Sequence, residues 1–219
     1  MPRAERCRLV VLVSGGGSNL QAFIDACASP DYPCTITGVI SNRPGAGGIA
    51  RATRAGIATS VIDHTHFASR EDFDAALSAA IDAFGADLVI LAGFMRILTA
   101  GFVQRYRGRL LNIHPSLLPK YPGLHTHQRA IEAGDAEAGA SVHFVTEELD
   151  GGPLILQARV PVLPGDDADT LAARVLVEEH RIYPLAARLF ASGRIRLQDA
   201  AVLLDGEAVA VSGIGDPRQ

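Results

Sequence analysis

Two short runs built only of apolar residues, Leu9-Val10-Val11-Leu12-Val13 and Leu88-Val89-Ile90-Leu91-Ala92, constrain this chain more than any other feature. A half-solvated strand alternates apolar with polar residues. A run that is apolar at every position belongs to a strand covered on both faces, as in a parallel sheet between two helical layers. Helical periodicity fills the sequence between the two runs. Leu20, Phe23, Ile24 and Cys27 form one stripe, preceded by Ser18 and Gln21 at capping-box spacing. Ser69 and Asp72 open a second helix, with Phe73, Ala76, Leu77, Ala80, Ile81 and Phe84 facing the core and Gly85 stopping it. Between these, residues 35–41 read as a strand rich in β-branched side chains and residues 46–55 as a short helix ended by Gly56. Residues 58–62 follow as a short strand. This strand–helix alternation predicts an α/β fold with a doubly wound, mostly parallel sheet.

Past residue 100 the pattern loosens. A strand ends at His114, a proline-rich loop follows to about His127, and a helix continues to about residue 133. Residues 141–146 and 154–162 read as strands around a turn at 149–153, and a long helix covers roughly 169–191. Asp205-Gly206, between residues 201–204 and 207–211, signals a tight hairpin in a mixed C-terminal part. No repeat or flexible linker interrupts the chain. We therefore expect one domain over residues 1–219, with subregions at 8–100 and 101–219.

With 48% hydrophobic residues the 219-residue chain has ample material for a buried core. Its net charge of −4 offers no general attraction for nucleic acid or an anionic membrane, so any anionic ligand must be held by local geometry. Cys7, Cys27 and Cys34 form no CxxC pattern and read as reduced thiols. The apolar run after the basic N-terminal residues stops at Ser14-Gly15, too early for a signal peptide or a membrane helix. The expected setting is the cytoplasm.

The residues that carry chemistry stand at expected strand ends. Asn112 and His114 alternate with Ile113, so the amide and the imidazole share one face of their strand. Such a pair suits a developing oxyanion, the amide through a hydrogen bond and a protonated imidazole through a second one with charge. Asp150, in Asp150-Gly151-Gly152, would hold His114 protonated and relay protons if the fold brings it near. Either half alone reads more readily as a strand end satisfying loop backbone, or as an Asp-Gly turn, since short motifs recur by chance. Ser14-Gly15-Gly16-Gly17-Ser18-Asn19 joins a buried strand to a helix start and suits a phosphate or another anion, or simply a tight turn. Gly93-Phe94-Met95-Arg96-Ile97-Leu98 stays apolar where a solvent loop should turn polar, which fits a slot for a flat heterocycle or ordinary core wrapping. His125 and His127 lack a third ligand, and no metal is expected. His143 faces either the core or the site.

Five segments together carry a family resemblance. They are Ser14 to Gln21, Ala92 to Leu98, Asn112 to His127, Gly139 to Pro153, and Glu179-His180-Arg181-Ile182-Tyr183-Pro184. In order and spacing they resemble the folate-using formyltransferases, and among them the phosphoribosylglycinamide formyltransferases. The resemblance implies a Rossmann-like fold and 10-formyltetrahydrofolate as co-substrate. It implies Asn112, His114 and Asp150 as catalytic residues, with Gly17, Ser18, Asn19 and Glu179 on the phosphoribosyl group. It places Met95, Arg96, Ile97, Leu98, Asn112, Thr146, Glu147, Glu148, Leu149 and Asp150 around the folate, with Arg70 toward its glutamate tail. At Leu176 it implies a polar substrate contact that leucine cannot make, which bears on affinity rather than chemistry.

The reaction so implied moves a formyl group to the amine of glycinamide ribonucleotide in purine biosynthesis. Small molecules, not nucleic acid or membrane, would be its partners, and a homodimer stays open. Three other readings remain: a formylfolate hydrolase, a methionyl-tRNA formyltransferase, and a binding module without catalysis. The Lys120-Tyr121-Pro122-Gly123 segment speaks against the first, and the lack of room for a basic C-terminal domain against the second. Retention of all three catalytic residues speaks against the last.

Overall fold

A computed structural model describes residues 5–209 of the chain. The strands are β1 (Cys7–Val13), β2 (Cys34–Ser41), β3 (Thr59–Val61), β4 (Leu88–Leu91), β5 (Leu110–His114), β6 (Glu137–Phe144), β7 (Leu154–Pro161), β8 (Ile195–Gln198), β9 (Ala201–Leu204) and β10 (Glu207–Ala208). The α-helices are α1 (Ser18–Ala28), α2 (Gly47–Arg54), α3 (Arg70–Ala83), α4 (Ala100–Arg105), α5 (Thr126–Glu132) and α6 (Ala168–Ala191). Seven strands form one sheet in the order β3-β2-β1-β4-β5-β6-β7. The first five are parallel, and β6 and β7 add antiparallel at one side. This is the doubly wound, mostly parallel α/β architecture expected from the two apolar runs.

The all-apolar β1 has a separate layer on each face. Leu9, Val11 and Val13 join a cluster with Leu20 and Phe23 of α1 and Val175, Ile182 and Tyr183 of α6. Val10 and Leu12 join the opposite cluster with Phe73, Leu77 and Ile81 of α3 and Phe102 of α4. The same alternation sorts β5: Leu111 and Ile113 face α1 and α6, whereas Leu110 faces α3 and α4. Asn112 and His114 therefore share the α3 side, as strand alternation requires. Ser69 caps α3 by accepting from the Asp72 N–H at 3.0 Å, and Gly56 and Gly85 follow α2 and α3 with positive φ.

Four local expectations are corrected. Ser18 does not cap α1. Gly17 holds the cap position at φ 73°, ψ 36° with no side-chain cap bond, because the turn from β1 into α1 needs a left-handed residue there. The Gln21 amide pairs instead with Asp25 and Arg51. Helix α4 was not anticipated; Thr99 caps it by accepting from the Phe102 N–H at 3.3 Å. Strand β6 begins four residues before the expected 141, because Glu137 already pairs with Pro161 of β7. Strand β8 was also missed. It completes a three-stranded antiparallel sheet around the expected Asp205-Gly206 turn, whose residues have φ 52° and 94°. The hairpin's far arm was expected to run to residue 211. Its last two positions lie outside the described residues. Cys7, Cys27 and Cys34 are free thiols, and among the described residues no helix is long and apolar enough to cross a membrane.

Candidate active site

The sheet order reverses beside β1, so the loops after β1 and β4 diverge to opposite faces and leave a crevice at the carboxyl edge. Register places Asn112 of β5 level with Leu91 of β4 on one side and His143 of β6 on the other. The β6–β7 turn then folds Asp150 back over this edge. Every residue named for catalysis in the sequence converges here.

The hydrogen bonds fix which group carries which proton. His143 Nδ1 lies 2.9 Å from the Phe144 carbonyl oxygen, which can only accept, so Nδ1 carries hydrogen. Burial pushes the His143 pKa below its ordinary value, favouring the neutral ring. Its Nε2 is then an acceptor, and Asn112 Nδ2 donates to it at 3.2 Å. One amide proton of Asn112 is thereby used to aim the group, and the second remains for a ligand. His114 Nε2 donates to the Tyr121 carbonyl at 2.8 Å, while Nδ1 faces Asp150 Oδ2 at 3.4 Å. The Asp150 carboxylate also accepts the Gly123 N–H at 2.9 Å. Both side chains of the His114–Asp150 pair are more than nine-tenths buried, so little water screens their interaction. His143 is the residue that sequence reasoning left undecided. Its alternation with Val142 and Phe144, both core residues, only turns it to the other face of the sheet; the register opposite Asn112 is what assigns it to the site.

A second group of residues surrounds the start of α1. Gly17 is required there twice over: φ is positive, and a Cβ would lie 2.6 Å from Gly48 Cα. The loop before it is held from α2, with Gly48 N–H donating to Gly15 O at 3.0 Å and Arg51 Nε to Gly16 O at 2.8 Å. The first free N–H groups of α1 therefore stand in a fixed position suited to an anion. Asn19 points the other way, toward α6, and donates from Nδ2 to Glu179 Oε2 at 2.7 Å. Its Oδ1 is buried with no hydrogen-bond partner among the described residues. Burial raises the Glu179 pKa, opposed by the Asn19 bond. Two buried acceptors side by side suit a ligand that brings hydroxyl donors. Leu176 lies one turn before Glu179 on α6.

The segment after β4 forms the third part. Met95 and Ile97 are largely exposed, as is Leu149 of the β6–β7 turn, and Leu98 packs on the α3-side core. The Arg96 guanidinium stacks over the Phe73 ring, 4.8 Å from its centroid. Glu147 of the β6–β7 turn accepts from Gln104 Nε2 of α4 at 3.1 Å, whereas the Thr146 hydroxyl donates within the turn, to the Glu148 carbonyl at 3.5 Å. Arg70 is exposed at the first position of α3. His127, by contrast, is half-buried with its pKa lowered, first by burial and then by the neighbouring His114 charge.

Comparison with known proteins points to one family. Residues 7–187 match the family model described as formyl transferase. A phosphoribosylglycinamide formyltransferase of Escherichia coli K12 is 56% identical over 205 residues, covering 94% of this chain and 97% of that protein. The human trifunctional purine biosynthetic protein adenosine-3 is 48% identical over 193 residues, 88% of this chain and 19% of that longer protein. The solved structure of a phosphoribosylglycinamide formyltransferase from Coxiella burnetii superposes with a TM-score of 0.93 at 49% identity. It covers 97% of this chain and all of its own. Carrying that match across nearly all its strands and helices, the chain belongs to the formyl transferase family.

Proposed function

We propose that this protein transfers the formyl group of 10-formyltetrahydrofolate to the amine of 5'-phosphoribosylglycinamide, giving N-formylglycinamide ribonucleotide in de novo purine biosynthesis. The observation that carries this reading is the convergence of Asn112, His114 and Asp150 between a fixed helix start and an exposed apolar segment. In this reading the chain works as one domain in the cytoplasm. Its first subregion holds the phosphoribosyl group and its second the folate and the chemistry.

The free N–H groups at Gly17, Ser18 and Asn19 take the substrate phosphate. Glu179 and the unpartnered Asn19 Oδ1 take ribose hydroxyls. Residues 95–98, 146–150 and Asn112 border the pterin, with Arg70 toward the glutamate tail. The substrate amine is itself the nucleophile, so no side chain must be activated to attack. As the amine adds to the formyl carbon, negative charge develops on the formyl oxygen. The second N–H of Asn112, aimed by His143, donates to that oxygen. The His114–Asp150 pair supplies the adjacent positive charge when the imidazole holds both protons, and passes a proton from the amine to the departing folate nitrogen. Proximity across one sheet edge supplies the rest.

Optical deformylation of a 10-formylfolate, followed with and without glycinamide ribonucleotide, tests the reading. Turnover only with both substrates, with the formylated product confirmed by mass, is the expected result. Loss of cofactor formyl without the ribonucleotide would identify a hydrolase instead.

Glu179 gives a second expectation with opposite effects on stability and function. A carboxyl whose folded-state pKa is raised costs the fold nothing in acid, below its unfolded value, and destabilises progressively as pH rises through the folded value. Glu179→Gln is therefore expected to unfold at a higher temperature than wild type at pH 8, with the gap closing toward pH 4. Its KM for the ribonucleotide should rise roughly 10- to 100-fold, the cost of losing a charged acceptor. Equal melting temperatures across that pH range would remove the burial argument.

A further inference from the structure

The serine that begins the glycine-rich loop, Ser14, makes no hydrogen bond within that loop. Its backbone N–H donates to Gly93 O at 3.1 Å, and its hydroxyl oxygen accepts the Met95 N–H at 2.8 Å. The hydroxyl proton goes to Asn42 Oδ1 at 2.5 Å. Both side chains are sealed from solvent, Ser14 at 5% exposure and Asn42 at 1%. Asn42 follows β2 and is held in turn by His64, whose Nδ1 donates to the Asn42 backbone carbonyl at 2.8 Å. That bond fixes a proton on Nδ1, so the 3.3 Å approach of the Asn42 amide to the same nitrogen is a contact and not a second bond.

Each bond in this chain points away from the anion loop. The loop's own anchors are separate: Gly48 and Arg51 of α2 hold Gly15 and Gly16. Met95, by contrast, belongs to the apolar segment, and its N–H bond to Ser14 joins the Ser14–Gly93 main-chain bond in tying that segment to the residue after β1. Because Oγ both accepts and donates, its rotor is fixed by Asn42, and the direction of its lone pair toward Met95 is fixed with it.

We infer that Ser14 is a positioning residue for the folate slot and not for the phosphate loop in which its sequence places it. Resting on the proposed function, this assigns Asn42 the task of orienting the Ser14 hydroxyl, and Ser14 the task of setting the main chain of Met95–Leu98 against the pterin. The two substrates are thus held by separate hydrogen-bond systems that share one strand end.

Binary affinities of the full chain for tetrahydrofolate and for ribose 5-phosphate, measured by calorimetry, separate the two systems without depending on turnover. In Ser14→Ala, tetrahydrofolate should bind about tenfold more weakly, because the Met95 N–H loses its acceptor and the Met95–Leu98 main chain must then be ordered on binding, while ribose 5-phosphate changes by less than about twofold. In steady state the same variant should raise the KM for the formylfolate about tenfold and lower kcat by less than about threefold, since no reacting group is touched. Asn42→Ala should reproduce that selectivity, and the double variant should add little, because both act through one bond. Asn42→Ala carries the test alone if Ser14→Ala does not fold. Unchanged tetrahydrofolate affinity, or equal weakening of both ligands, overturns the assignment. Wild-type protein that binds neither ligand would remove the proposed function as well. Selective weakening of tetrahydrofolate in Ser14→Ala, beside a wild type that binds both ligands but does not turn over, would leave Ser14's role standing while the reaction fell.

Discussion

Asn112→Ala is expected to lower kcat by about 10²–10³-fold while the KM of each substrate moves only a few-fold, the pattern of a donor used in the transition state and little before it. The structure explains why the effect should be that large. Asn112 spends one N–H on His143 Nε2, so its amide is already aimed when substrate arrives. An amide rotating freely in water would lose much of that advantage by reorganising. Circular dichroism and melting should stay close to wild type, because Asn112 is only half-buried and belongs to neither core cluster. His114→Ala is expected to be similarly slow. Near-normal turnover in both variants would sink the catalytic assignment. The arrangement also has a pH signature in stability. His143 is held neutral by burial, so its contribution is present above the ordinary histidine value of 6.5. It is lost as pH falls toward the lowered folded-state value.

Legibility from sequence followed the range of the physics involved. The runs Leu9–Val13 and 88–92 announce a doubly covered sheet because burial on both faces acts on each residue locally. Asn112 and His114 share a face by strand alternation alone, and the structure keeps them there. Asp150 was a different matter: its approach to His114 depends on a turn joining β6 and β7, which no local period encodes. His143 stayed ambiguous because a histidine between two apolar residues reads equally as core or site until the neighbouring strand is known. Its partner turned out to be Asn112, directly across the register. Ser18 was misread because capping-box spacing is satisfied by residue types alone, whereas the real constraint was the left-handed turn that only Gly17 relieves. Ser14 illustrates the limit most sharply. Its neighbours in sequence suggest an anion loop, yet its hydroxyl meets residues 28 and 81 positions away.

The turn that delivers Asp150 makes the last expectation a severe one. A Cβ at Gly152 would sit 1.7 Å from the Phe144 carbonyl oxygen and 3.1 Å from His143 Nδ1. The first distance is well inside contact with backbone, which has no rotamer to move away. Gly152→Ala must therefore displace either the β6 end or the turn, at a cost of about 3 kcal/mol or more, the upper range of overpacking. The displaced carbonyl is the acceptor that fixes the His143 tautomer, so Asn112 loses its aim. Asp150, two residues earlier with φ at 53°, moves with the turn. A shift of about 1 Å in such groups is enough for roughly a 10²-fold loss of rate, so kcat per folded molecule should fall by about that factor. Gly151→Ala is the control from the same turn. The three atoms nearest its Cβ would all belong to the exposed Glu148 side chain, Cδ at 2.4 Å, Cγ at 2.5 Å and Oε2 at 2.6 Å, and that side chain can swing into solvent. Melting temperature and single-turnover rate should therefore separate the two alanines, with Gly151→Ala near wild type in both. Equal behaviour of the pair would mean that the turn adapts to a Cβ at either position, and that Asp150 is not held by the steric fit of Gly152 against β6.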